Sequence, residues 1–180
     1  MALDPTLRAL CDAIGVSFND PALLELAVTH RSAAFEARTK RRPRVEDNER
    51  LEFLGDSVLG LIVSEACGEV SPTLRRGAPH RVRAAVVNER NLAAVAAEIG
   101  LGAALRLGRG EDQTGGRAKP SLLCDAFEAL RRRCTSTLAP TRRAMVEVSL
   151  SPSIAAATAR SQTHLDEKTP CRSACRESGA

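Results

Sequence analysis

The chain has 180 residues, enough for one domain with a buried core, and a formal net charge of +4. It holds four Phe and neither Trp nor Tyr, so that core must be aliphatic. The basic excess lies wholly at the end: residues 1–130 carry 17 Lys and Arg against 18 Asp and Glu, and residues 131–180 carry 9 against 4. Bulk charge therefore gives no argument for nucleic-acid binding by the first 130 residues, which leaves only the local clusters Arg38 to Arg44 and Arg75 to Arg83. No apolar run approaches the roughly 20 residues of a membrane span. The start carries Asp4 and Asp12 rather than a basic-then-apolar leader, so a cytoplasmic protein is the default expectation.

The reading along the chain is helical nearly throughout, and no alternation of period two appears. Leu7 to Ile14 predicts an amphipathic helix closed by Gly15. Asn19-Asp20-Pro21 is a cap followed by Pro at the first helical position, opening a helix to about His30. Residues 34–47 read as a charged linker containing Pro43, and a helix follows from about Asp47 to Cys67. Gly68 to Pro79 reads as loop, and one long helix is expected over Arg81 to Ile99, ending at Gly100-Leu101-Gly102. Gly108 to Gly116 is a glycine-rich loop but no P-loop, because Gly110-x4-Gly115 is followed by Gly116. Ser121 is expected to cap a last apolar helix. Cys11, Cys67 and Cys124 fall in apolar helical settings and read as small core residues. Cys171-x3-Cys175, with His164 nearby, has neither the spacing nor the setting of a zinc ribbon.

Two acidic stripes interrupt this apolar pattern. Glu49, Glu52 and Asp56 stand at i, i+3 and i+7, within about 60° of one another on a helix. Asp125 and Glu128 stand at i and i+3 in Leu-Leu-Cys-Asp-Ala-Phe-Glu-Ala-Leu. Like charges on one stripe repel, which leaves two readings open. Either these are solvated helix faces, or the two stripes meet and hold a hard divalent cation such as Mg²⁺ or Mn²⁺ through carboxylate oxygens.

The stretch Asn48-Glu49-Arg50-Leu51-Glu52-Phe53-Leu54-Gly55-Asp56-Ser57-Val58-Leu59 resembles the signature of the ribonuclease III family. Leu24 to Ser32, with its Thr29-His30-Arg31-Ser32 turn, Arg83 to Ala93, Leu107 to Glu111 and Gly115 to Leu123 resemble further family segments in the same order. The likeness runs from about residue 5 to Leu130. It implies an all-α ribonuclease III endonuclease domain over residues 1–130. The implied activity is Mg²⁺-dependent hydrolysis of double-stranded RNA to 5′-phosphate and 3′-hydroxyl ends, in rRNA and mRNA processing, with Mn²⁺ able to substitute. It further implies Glu52, Asp125 and Glu128 as metal ligands, Asp56 and Glu128 as catalytic residues, and Asp56 as the group that orients the attacking water. The resemblance implies Glu49 as an accessory acid near RNA or dimer, and Phe53 as a contact that plugs a pocket on the partner of a homodimer, with ordinary core as its other reading. His30 has the look of a general base, and its place in the Thr-His-Arg-Ser turn points instead to a structural role.

After Leu130 the text changes character. Residues 131–180 contain no aromatic residue and are rich in Ser, Thr, Ala, Pro and Arg, which reads as a largely disordered tail. The family's continuation, an apolar stretch ending in Tyr-Leu-Asp and then a double-stranded-RNA-binding domain, is not expected here. Codons for Arg-Cys-Thr-Ser-Thr can read NNG-TGT-ACC-TCG-ACN, and the same letters shifted read Val-Tyr-Leu-Asp, which implies a change of reading frame after Leu130. With Arg131, Arg132 and Arg133 on the helix path, the last helix is expected to stop near Leu130. Arg76 stands where some members carry a further acid. An alternative to the enzyme is therefore a catalytically impaired fragment that acts as an RNA-binding or scaffold protein. A helical metal phosphohydrolase for small molecules is disfavoured, because His30, His80 and His164 do not sit beside the acids of the stripes.

Overall fold

The computed structural model describes residues 3–16, 20–40, 45–70, 78–134 and 150–160. Among these no strand forms, and one isolated bridge, Thr29 to Arg106, is the only extended pairing. The helices are α1 (Pro5–Ile14), α2 (Pro21–Ala27), α3 (Arg31–Thr39), α4 (Glu49–Val70), α5 (Ala78–Val86), α6 (Glu89–Glu98), α7 (Leu101–Ala104), α8 (Arg109–Gln113) and α9 (Pro120–Cys134). A further helix, α10, covers residues 150–160.

The expected caps operate at the start of the chain. The Asp20 carboxylate accepts from the backbone N–H of Ala22, with Pro21 as first helical residue. Gly15 ends α1 at φ 66°, a left-handed conformation that favours glycine. Five features depart from expectation. Helix α2 stops at Ala27, because the Thr29 hydroxyl donates to the Glu25 carbonyl (2.6 Å) and the His30 ring then accepts from the Ser32 N–H (3.3 Å), opening a new helix. Much of the supposed linker is thus α3, whose charged side chains form a solvated face with a Glu36–Lys40 pair one turn apart. The single helix over 81–99 is two, α5 and α6. Asn88 breaks it by adopting extended backbone and accepting from the Asn91 N–H (3.0 Å) through its side chain. The loop at 108–116 contains the short helix α8. Helix α9 begins at Pro120, so Ser121 is a helical residue and not the cap.

The core is aliphatic, as composition requires. Leu7, Leu24, Leu59, Val63, Leu92, Leu101, Phe127 and Leu130 are fully buried in one cluster, each buried Leu stabilising by about 1.5–3 kcal/mol relative to exposure. Cys67 and Cys124 are buried with them, and Cys11 is half-buried. Among the described residues, helices α4 and α9 form the most extensive pair.

The expectation that the last helix stops near Leu130 is corrected: α9 runs to Cys134. Arg131 is buried, with its guanidinium 4.5 Å above the Phe127 ring one turn earlier, so its long stem and cation are carried by an aromatic face. The side chains of Arg132 and Arg133 lie outside the described residues. Within the supposed tail, α10 buries Leu150, Ile154 and Ala157, spaced i, i+4 and i+7, and Ser153 donates to the Asn91 side chain of α6 (3.0 Å). The rest of 135–180 lies outside the described residues, as do Arg76, Pro43, His164, Cys171 and Cys175.

One close approach sets the spacing of the central pair. A Cβ added at Gly55 of α4 would lie 2.0 Å from the Glu128 carbonyl oxygen of α9. Only a residue without a side chain lets the two backbones cross there. Gly55→Ala must push the helices apart and is expected to lower stability by about 1–3 kcal/mol or more, read as a lower thermal midpoint. An unchanged midpoint would show that the crossing has slack.

Candidate active site

Asn48 fixes the start of α4. It is buried, its side-chain amide donates to the Ala27 carbonyl (3.1 Å) and its own N–H to the Thr29 carbonyl (3.0 Å), while its carbonyl accepts from Leu51 and Glu52. The Thr29-His30 turn is held from the other side by Arg106, whose carbonyl accepts from the His30 N–H (3.0 Å). The His30 ring is engaged with Ser32, 2.8 Å from its hydroxyl, so His30 serves as the cap of α3. Burial lowers its pKa, partly opposed by Glu111.

The entry to α9 is clamped by Arg117. Its guanidinium donates to the carbonyls of Gly102, Ala103 and Leu105 (3.1, 3.1 and 2.9 Å) and pairs with Asp112 (2.8 Å). Lys119 pairs with Glu111 at 2.5 Å. These contacts fix where Pro120 starts the helix, and thereby the register of Asp125 and Glu128.

With both helices placed, the crossing at Gly55 sets Glu52 and Asp56 of α4 beside Asp125 and Glu128 of α9. Their mutual fields show it. Burial, and then repulsion from Asp56, Glu52 and Asp125, raises the Glu128 pKa to about 7. Glu52 is raised by burial and by Asp125 and Glu49, and Asp125 by burial and by Glu89 of α6. Glu49 lies at the edge, exposed and 3.3 Å from Arg31. Phe53 is 75% exposed, which removes its reading as ordinary core, and Leu54 and Leu61 are exposed on the same helix.

Two contributors carried no signal in the sequence pattern. The Cys124 thiol, buried, is a neighbour of the Glu128 carboxylate at 3.6 Å and favours its ionised form. Burial raises the pKa of the thiol itself, so it stays protonated and acts as the donor. Gly55 looked like any helix glycine until its contact with Glu128 was seen.

The donor set suits a hard divalent cation: four carboxylates on two facing helices, each raising the energy of its neighbours' charge. Among the described residues no three His, Cys, Asp or Glu side chains are already drawn together tightly enough to hold an ion. Binding would thus require the carboxylates to close in on it.

Residues 20–131 match the family model described as ribonuclease-III-like. The chain belongs to the ribonuclease III family. It is similar to Ribonuclease 3 of Thermobifida fusca (strain YX), 49% identical over 124 residues, which cover 69% of this chain and 49% of that protein. It is likewise similar to Ribonuclease 3 of Bdellovibrio bacteriovorus, 45% identical over 128 residues, covering 71% and 53%. The chain spans about half the length of the curated relatives it matches. Two structures of the nuclease domain of ribonuclease III from Campylobacter jejuni superpose with TM-scores of 0.61 and 0.62 at 28% identity. They cover 92% and 93% of this chain and 99% of that domain.

The raised carboxylates make stability depend on pH. Glu128 has a folded pKa of about 7 against an ordinary 4.5, so its contribution is fully present below about 4.5 and is lost as pH rises through 7. Glu52 and Asp125 act with the same sign. Glu36, Glu111 and Asp4, held low by hydrogen bonds, act with the opposite sign at more acid pH; His30, lowered by burial, also opposes the fall below about pH 6.5. The metal-free thermal midpoint is therefore expected to fall from about pH 6.5 to pH 8. Excess Mg²⁺ should restore it at pH 8, and Glu128→Gln should flatten the fall. A flat profile in the parent chain would contradict the crowding of these acids.

Proposed function

We propose that the chain is a Mg²⁺-dependent endoribonuclease that cleaves double-stranded RNA, leaving 5′-phosphate and 3′-hydroxyl ends, in the processing of rRNA and mRNA precursors in the cytoplasm. The observation that carries this reading is the meeting of Glu52 and Asp56 with Asp125 and Glu128 across the α4–α9 crossing. When bound, Mg²⁺ or Mn²⁺ would supply a Lewis acid for the phosphodiester and activate water. Glu52, Asp125 and Glu128 are the proposed ligands. Asp56, exposed beside them, orients the attacking water, and the Cys124 thiol, a donor to Glu128, favours its charged, ligating form against burial and repulsion. Glu49, tied to Arg31, stands outside this set as an accessory acid. A cleft of about 800 Å³ opens beside it, lined by Arg31, Arg38, Lys40 and Arg109 and equally by the carboxylates Glu36, Asp47, Glu49 and Glu111, so its walls are balanced in charge.

Asp56→Asn and Glu128→Gln each remove one charge at nearly constant size. Each is expected to lower cleavage of a labelled RNA duplex by roughly 10²–10⁴-fold with helical circular dichroism unchanged. Substantial residual cleavage in either variant would remove these residues from the chemistry. Duplex binding without cleavage by the parent chain would support instead an impaired, RNA-binding member of the family.

A homodimer belongs to the same proposal. Phe53, Leu54 and Leu61 leave an apolar patch on α4 that a second copy would cover. One of the Campylobacter jejuni structures is described for flexibility in its region of dimer formation. Phe53→Ala is expected to shift sedimentation toward monomer, and a parent chain already monomeric would refute the dimer. Two observations bear on a change of reading frame after Leu130 and point opposite ways. The family match ends at residue 131, whereas Leu150, Ile154 and Ala157 are packed into the core. The nucleotide sequence around codon 130 decides between them.

A further inference from the structure

Asp56 also opens onto a second cleft, of about 530 Å³, between α4 and α5. Asp56, Ser57, Gly60 and Ser64 line one wall at i, i+1, i+4 and i+8, a single helical stripe. Arg83, Ala84 and Val87 line the other at i, i+1 and i+4, so Arg83 faces the acid stripe. No Asp or Glu occurs within α5, and among the described residues no carboxylate lies within ion-pair distance of Arg83, although Asp56 shares its cleft. Ser64 is occupied, donating to the Gly60 carbonyl (2.6 Å), which leaves Arg83 as the cation of the cleft.

An arginine that confronts a carboxylate across open space without pairing to it is placed for an anion that enters between them. The planar guanidinium matches two oxygens of a phosphodiester at once. We propose that Arg83 binds an RNA backbone phosphate in this cleft, next to the phosphate presented to Asp56, and so positions the strand along α4. This rests on the reading of the chain as an RNA-duplex nuclease. Arg81 provides the comparison. It is exposed on the same helix, but two residues away it points about 160° elsewhere and does not line the cleft.

The test is fluorescence anisotropy of a labelled RNA duplex with the 180-residue chain in EDTA, where no cleavage intervenes, over a series of salt concentrations. Arg83→Ala is expected to bind several-fold more weakly and to lower the slope of log affinity against log salt by about 0.9, the loss of one phosphate contact. Arg83→Lys should keep most of the slope, and Arg81→Ala should track the parent chain. Thermal midpoints should not move, because the site is exposed and Ala is the best helix former. Parent-like affinity and slope in Arg83→Ala, or an equal loss in Arg81→Ala, would overturn the assignment. A parent that binds duplex but fails to cleave it once Mg²⁺ is added would sink the enzymatic reading while leaving the Arg83 contact standing. A parent that binds no duplex would sink both.

Discussion

The contact on which the rest depends is the crossing of α4 over α9 at Gly55. A backbone carbonyl occupies the place where any other residue would put its Cβ, so the two helices touch main chain to main chain at Glu128. Glu52 and Asp56 flank that point on one helix, and Asp125 and Glu128 lie on the other. The helix caps serve the same contact from a distance. Asn48 fixes where α4 begins and Arg117 fixes the approach to α9, so the register of each acidic stripe is set before the two meet.

Bringing these acids together is unfavourable for the isolated fold. Glu52, Asp125 and Glu128 are all pushed above their ordinary pKa values, chiefly by burial and then by neighbouring carboxylates: Asp56 on Glu128, Asp125 on Glu52 and Glu89 on Asp125. A structure built only for stability would place a cation among them or turn them to solvent. Here the cations stand at the rim: Arg31 is tied to Glu49, and Arg83 lies across a cleft from Asp56. This separation of fixed cations from crowded anions supports the proposed division of the site, with a divalent ion at its centre and phosphates at its rim.

Much of this was legible in the sequence because it is written in local patterns. Helical spacing displayed the acidic stripes, Asp20-Pro21 and Gly15 announced their caps, and the scarcity of aromatics required an aliphatic core. The misses have local causes too small for periodicity to register. Asn88 splits one helical pattern into two through a single side-chain bond, and the His30 ring starts a helix inside what read as linker. Arg131 is buried because the Phe127 face lies beneath its guanidinium, a contact that the run of three Arg does not display. Gly55 and Cys124 matter through partners on the facing helix and one turn away, and Arg83 through a cleft formed by a helix nearly twenty residues upstream; no linear pattern carries such pairings.

The central claim is that the α4–α9 crossing builds one divalent-cation site. Mn²⁺ titration followed by electron paramagnetic resonance, with Mn²⁺ standing in for Mg²⁺, reads it without any assumption about RNA. The account predicts saturable loss of the free Mn²⁺ signal in the parent chain, competed by Mg²⁺, and strongly weakened in both Glu52→Gln and Asp125→Asn, which alter the site from opposite helices. A parent chain that takes up no Mn²⁺, or variants that bind it as the parent does, would contradict it.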